Sequence, residues 1–140
     1  MRIVCDTNVS ISGLLWSGKP NQVLKLAKQK EIEICITIST LKEFEKVINY
    51  PRFQTRIQTL QTTPSEIIAF YAELTTIYEE VLLDKNVVEE DPDDDIFIMA
   101  ALSSRVKLIV SGDGHLLKLA NYKEIQIVNT DVFLKIRKNL

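Results

Sequence analysis

Carboxylates mark this chain at four places: Asp6, Glu43, the run Asp93-Asp94-Asp95, and Asp113. Each falls where a strand should end or a helix begin. On one edge of a parallel α/β sheet, such positions converge in space. Carboxylates gathered there repel one another and are costly to bury without a compensating cation. Hard oxygen ligands suit Mg²⁺ or Mn²⁺, and the usual chemistry of those ions on proteins is phosphoryl transfer or hydrolysis.

Alternating strand and helix patterns must position these acids. Arg2 to Cys5 reads as a buried strand ended by Asp6-Thr7-Asn8. Ser17-Gly18-Lys19-Pro20 breaks the chain and opens a helix carrying Val23, Leu24 and Ala27 on one face. Glu33 to Thr37 is the second strand, and Ser39 and Thr40 open a helix that stops near Tyr50-Pro51. Thr63-Pro64-Ser65-Glu66 combines an N-cap, an N1 proline and an N3 glutamate before a stripe of Ile67, Ile68, Tyr71, Leu74 and Tyr78. Glu80 to Leu83 reads as a third strand. The aspartate run caps a helix with Phe97, Ala100, Ala101 and Leu102, and Lys107 to Val110 is a fourth strand ending at Ser111-Gly112-Asp113-Gly114. A short helix from His115 to Ala120, a fifth strand at Ile125 to Val128 and a helix capped by Thr130 follow. All-apolar strands alternating with helices predict an α/β three-layer sandwich around a mostly parallel sheet of four or five strands.

A chain of 140 residues fits a single domain, and its composition, 46% hydrophobic and 26% charged, is that of a soluble globular protein. Neither a transmembrane-length apolar stretch nor a signal peptide is visible, so the expected location is cytoplasmic, with no membrane contact. Cys5 and Cys35 sit in apolar strand runs without zinc-spaced partners and read as buried free thiols. The glycines, at 13, 18, 112 and 114, form neither a dinucleotide fingerprint nor a P-loop. A net charge of −2 suits a nucleic-acid binder only where charge is segregated. Here the stretch from Glu89 to Asp95 is acidic except at Pro92, whereas Lys25, Lys28, Lys30, Lys42, Lys46, Arg52 and Arg56 fall in the first half.

Each candidate has a plainer reading. Asp6 is read equally well as a helix or turn cap, although Thr7 and Asn8 beside it can orient a ligand carboxylate. Thr40 and Glu43 match a capping box, the stronger reading of Glu43 taken alone. Acids in a first helical turn favour the dipole, yet three aspartates exceed what a cap needs. Asp113, flanked by glycines after an apolar strand, favours a ligand role. His115 reads as a cap or surface residue, and Trp16 as packing over a core edge, with base stacking as the alternative.

Taken together, Asp6-Thr7-Asn8, the Ser39-x-x-x-Glu43-Phe44 pattern, Asp91-Pro92-Asp93-Asp94-Asp95-x-Phe97 and Ser111-Gly112-Asp113-x-His115-Leu116-Leu117 resemble the PIN-domain nucleases, in order and spacing, from Arg2 to about Val132. The nearest branch is the bacterial and archaeal one assigned as toxins of toxin–antitoxin systems. The resemblance implies a PIN-like fold and a metal-dependent endoribonuclease acting on single-stranded RNA. The family's acids fall on Asp6, Glu43, Asp94 and Asp113, with Asp95 adjacent to the third. Thr7, Asn8, Ser111 and His115 take supporting positions. It further implies Mg²⁺ or Mn²⁺ as cofactor, an antitoxin protein as partner and a homodimer. Lys42, Lys46, Arg52 and Arg56 are candidates to guide the RNA backbone. Two rivals stand beside it. A haloacid-dehalogenase-type phosphatase needs a second aspartate where Asn8 stands, and a non-catalytic module would use the acids to hold a structural cation or a basic partner.

Overall fold

The computed structural model describes residues 1–82 and 95–139. Among these, six strands form one sheet in the order β3-β2-β1-β4-β6-β5. Arg2–Cys5 is β1, Glu33–Ile36 is β2, Thr76–Ile77 is β3 and Leu108–Val110 is β4, followed by β5 at Asn121–Tyr122 and β6 at Ile125–Val128. All neighbours pair in parallel except β5, which forms an antiparallel edge with β6. The helices are α1 (Thr7–Leu15), α2 (Lys19–Lys28), α3 (Ile38–Ile48), α4 (Pro51–Thr59), α5 (Pro64–Leu74), α6 (Asp95–Ser104), α7 (Gly114–Leu119) and α8 (Thr130–Lys138). No helix among the described residues is long and apolar enough to cross a membrane.

The three layers follow from the strands' two-residue period. Ile3 and Cys5 of β1, Ile34 and Ile36 of β2, and Leu108 and Val110 of β4 join a core with α1, α2, α3, α5 and α8. Their intervening neighbours Val4, Cys35 and Ile109 face the other way, against Phe97, Ile98, Ala100 and Ala101 of α6 and Leu116 of α7. Phe44 of α3, fully buried, stacks on Tyr71 of α5 with ring centroids 4.0 Å apart, closing the first core. Both cysteines are buried free thiols; burial pushes the Cys5 thiol up strongly and that of Cys35 to about 11, which keeps them protonated and inert.

Several local expectations give way. Helix α1 begins directly after Asp6, where the sequence pattern shows only a strand end; its apolar residues Val9 and Ile11 alternate with Ser10 and Ser12, so it has no helical amphipathic stripe to read. The third strand lies at Thr76–Ile77, and Glu80 to Leu82 is not strand, because its partner β2 ends at Ile36, whose carbonyl takes the Tyr78 N–H (2.8 Å), and Thr37 then caps α3. Leu83 lies outside the described residues, as do Asp93 and Asp94. The cap of α3 is Thr37, reciprocally bonded with Thr40, so Glu43 belongs to no capping box. The last helix is capped by Asn129 rather than Thr130. The N-cap at Thr63 is as expected, its hydroxyl accepting from the Glu66 amide at 3.2 Å. Thr63→Ala should therefore lower unfolding free energy by about 1 kcal/mol, and Thr63→Ser by much less, in denaturant titrations.

Candidate active site

Strand order locates a natural binding crevice. From β1 the chain moves outward to β2 and β3, then crosses back to place β4 on the other side of β1, with β6 beyond it. The switch point therefore lies between β1 and β4, and open α/β sheets bind ligands off the carboxyl ends of the strands there. Asp6 follows β1 and Ser111-Gly112-Asp113 follow β4, joined by the Asp6 N–H donating to the Val110 carbonyl at 3.0 Å.

Asp6 is buried and held by three donors. Its Oδ1 accepts from the Val9 N–H at 2.8 Å, capping α1; its Oδ2 accepts from the Ser111 hydroxyl at 2.6 Å and the Gly112 N–H at 3.0 Å. Ser111, fully buried, also accepts from the Asp113 N–H at 2.9 Å, so one hydroxyl ties the two aspartates' loops together. Asp113 Oδ1 caps α7 by accepting from the N–H groups of His115 (2.8 Å) and Leu116 (3.1 Å). The capping role thus holds for both aspartates and coexists with any other, because four lone pairs per carboxylate exceed the bonds described. Behind Asp6, the Ser10 hydroxyl and the Tyr71 phenol share a buried hydrogen bond of 2.8 Å.

Burial pushes the Asp6 carboxyl up, and the Asp113 charge pushes it further, against the lowering by its three donors. The sign for stability follows. Between the ordinary carboxylate range and this raised value, the folded protein holds a proton that the unfolded chain has lost, so folding weakens as pH rises through that window. Metal-free protein should accordingly lose denaturant stability as pH rises above the ordinary carboxylate range. Asp113→Asn should flatten that slope.

The donor set fits a hard divalent cation: two carboxylates whose charges repel, next in sequence to the one buried side-chain polar atom without a partner among the described residues, Thr7 Oγ1, all of them oxygen ligands. The remaining candidates lie around this pair. Asn8 is exposed on the first turn of α1, and His115 on that of α7. Asp95 is buried at the start of α6. Glu43, half-buried on α3, lines a cavity of about 280 Å³ with Ser39, Lys42, Lys46 and Ile96. Among the described residues no three His, Cys, Asp or Glu side chains gather as a metal-holding group; Asp94, the third acid of the expected set, lies outside them. Arg52 is exposed on α4, whereas Arg56 is half-buried and donates to the Leu15 carbonyl at 2.7 Å.

One acid in this region escaped sequence reading. Glu80 accepts from the Thr37 hydroxyl at 3.0 Å and the Ser39 hydroxyl at 2.8 Å, fastening the chain after β3 to the start of α3. Its place inside an apparently strand-like segment hid it; two hydroxyls at the α3 start were the only signal.

This architecture and crevice are those of a PIN domain, and the PIN domain family model matches residues 2–115. The chain belongs to that family, whose members are generally metal-dependent nucleases. Among solved structures it is similar to PAE2754 from Pyrobaculum aerophilum, with a TM-score of 0.57 and 15% identity over 99% of this chain and 90% of that one. At that identity the likeness speaks for the fold alone. No curated protein matches the chain.

Proposed function

We propose that the chain, as one nuclease domain over residues 1–140, is a Mg²⁺- or Mn²⁺-dependent endoribonuclease cleaving single-stranded RNA, and that it serves as the toxin of a toxin–antitoxin pair. The observation that carries the catalytic reading is the buried Asp6 carboxylate, clamped through Ser111 beside Asp113 at the sheet's switch point. Asp6 and Asp113 would hold the cation, with Asp94, outside the described residues, as a further ligand and with Asp95 and Glu43 contributing directly or through water. The chemistry supplied by the ion there is Lewis acidity toward a backbone phosphate and a lowered pKa for a water. Ser111 fixes the Asp6 oxygen that it bonds, Thr7 and Asn8 border the same loop, and His115 stands at the rim for contact with substrate. Lys42 and Lys46, exposed beside Glu43, offer charge to the phosphate chain.

The clamp also weighs against a phosphatase that uses Asp6 as nucleophile, since three hydrogen bonds to a carboxylate reduce its nucleophilicity. The toxin role rests on the resemblance of the motifs. An antitoxin segment offering arginine to the acidic crevice would complement it. Phe70 and Leu60, both exposed, give α5 and the end of α4 an apolar surface for a homodimer.

The test is incubation of end-labelled single-stranded RNA with purified protein. Internal cleavage that needs Mg²⁺ or Mn²⁺ and stops with a chelator is expected. Saturable metal binding with no cleavage of any RNA would instead favour the binding module, and phosphomonoester hydrolysis with a trapped phosphoryl-Asp6 would favour the phosphatase.

A further inference from the structure

A second feature lies away from the carboxylates, where the end of α1 meets α4. Trp16, the only tryptophan, caps α1 and is 41% exposed as a residue. The Arg56 guanidinium lies over that ring, 5.9 Å from its centroid, and Phe53 lies 6.2 Å away on the other helix. Arg52 stands over both Phe53 (4.8 Å) and Tyr50 (5.6 Å). Aromatic rings and guanidinium planes thus alternate along one surface. Arg56 is held in place by its bond to the Leu15 carbonyl. Among the described residues neither arginine forms an ion pair with a carboxylate.

Charge is segregated toward this surface. The chain has no Asp or Glu between Asp6 and Glu31, nor between Glu45 and Glu66, and these are the two segments that build it. In a protein of net charge −2, the two acid-free segments leave Arg52 and Arg56 at this surface with no acid from either segment to offset them.

The face also lies within reach of the carboxylates. Trp16 and Asp6 cap opposite ends of the nine-residue helix α1, about 15 Å apart at the usual helical rise. Lys19, just beyond Trp16, is ion-paired with Asp131 in the first turn of α8. That turn follows the end of β6, which runs parallel to β4, so the α1–α2 connection lies on the same sheet edge as Ser111 and Asp113.

We propose that Trp16, flanked by Arg56, Phe53 and Arg52, is a stacking platform for a base of single-stranded RNA about four nucleotides from the scissile phosphate. This rests on the nuclease reading for its substrate class. The spacing comes from about 15 Å at about 3.4 Å per stacked nucleotide. The indole face takes the base, and the two guanidiniums take flanking phosphates.

Because Trp16 is the sole indole, its emission reports the site directly. The experiment titrates the full-length protein, held metal-free by chelator so that no cleavage intervenes, with an oligouridylate of about ten nucleotides. Saturable quenching that weakens with salt is expected. Inorganic polyphosphate, which has charge but no bases, should leave the emission unquenched. By fluorescence anisotropy of labelled RNA, Trp16→Ala should bind about 5- to 150-fold more weakly, and Trp16→Phe should recover much of the loss. Unquenched Trp16 emission with wild-type affinity in Trp16→Ala would overturn the platform while leaving the nuclease reading intact. Preferential binding of a polyglutamate peptide would overturn it in favour of an acidic protein partner. Loss of cleavage with quenching retained would strike the nuclease reading alone.

Discussion

Asp113→Asn should abolish metal-dependent RNA cleavage, by about 10²- to 10⁴-fold, while leaving the metal-free protein as stable as wild type at neutral pH or more so. The rate loss follows from removing one of the charges proposed to hold the cation, an interaction worth several kcal/mol of transition-state stabilisation. Stability is preserved because asparagine caps helices about as well as aspartate and can keep an oxygen toward the His115 and Leu116 amides. It also removes the neighbouring charge that raises the Asp6 carboxyl. Asp6→Asn should lose cleavage to the same degree but differ in stability. Both Asp6 oxygens face N–H donors, Val9 on one side and Gly112 on the other, so an amide NH₂ must oppose one of them. A buried mismatch of that kind costs about 1–3 kcal/mol, offset in part by the charge that no longer needs burial. Cleavage assays paired with thermal melts separate the two. Wild-type turnover in either variant, measured in nuclease-free preparations, would remove the aspartate from the site.

The second large effect is on folding. Gly13→Ala should lower the melting temperature by roughly 3 °C or more, in a helix where alanine would ordinarily stabilise. A Cβ at Gly13 would come within 2.5 Å of Leu24 Cδ2, 2.7 Å of the Pro20 carbonyl oxygen and 2.8 Å of Leu24 Cγ. The leucine can rotate, but the carbonyl belongs to the backbone of α2, and the Asn21 side chain already ties that helix to the Gly13 carbonyl at 2.8 Å. Overpacking of about 1–3 kcal/mol exceeds the propensity gain of about 1 kcal/mol. Gly112→Ala is the control: nothing lies within 4 Å of its added Cβ, and its melt should match wild type. Equal melting temperatures for the two variants would show that α1 and α2 do not cross as closely as described.

The buried sheet was legible in sequence because its strands are short, apolar and bounded by breakers, and the site acids Asp6 and Asp113 stood out as polar residues closing such strands. Two kinds of feature were not legible. Helix α1 intersperses Thr7, Asn8, Ser10 and Ser12 among its apolar residues without a helical stripe, so periodicity could not show it, and β3 and β5, of two residues each, are too short to carry a pattern. The cap of α3 fooled the motif because Thr37 and Thr40 satisfy each other, leaving Glu43 with no capping role. Ser111 stood among the supporting positions of the motif, but its bonding was hidden. Its hydroxyl joins Asp6 to the Asp113 loop across residues far apart in the chain, a relation that spacing cannot reveal.

Anomalous diffraction from a crystal soaked in Mn²⁺ tests the central claim most directly. An ion peak within coordinating distance of carboxylate oxygens from both Asp6 and Asp113, at about 2.0–2.2 Å, is the predicted result. A peak elsewhere, or none at these aspartates at saturating Mn²⁺, would contradict it.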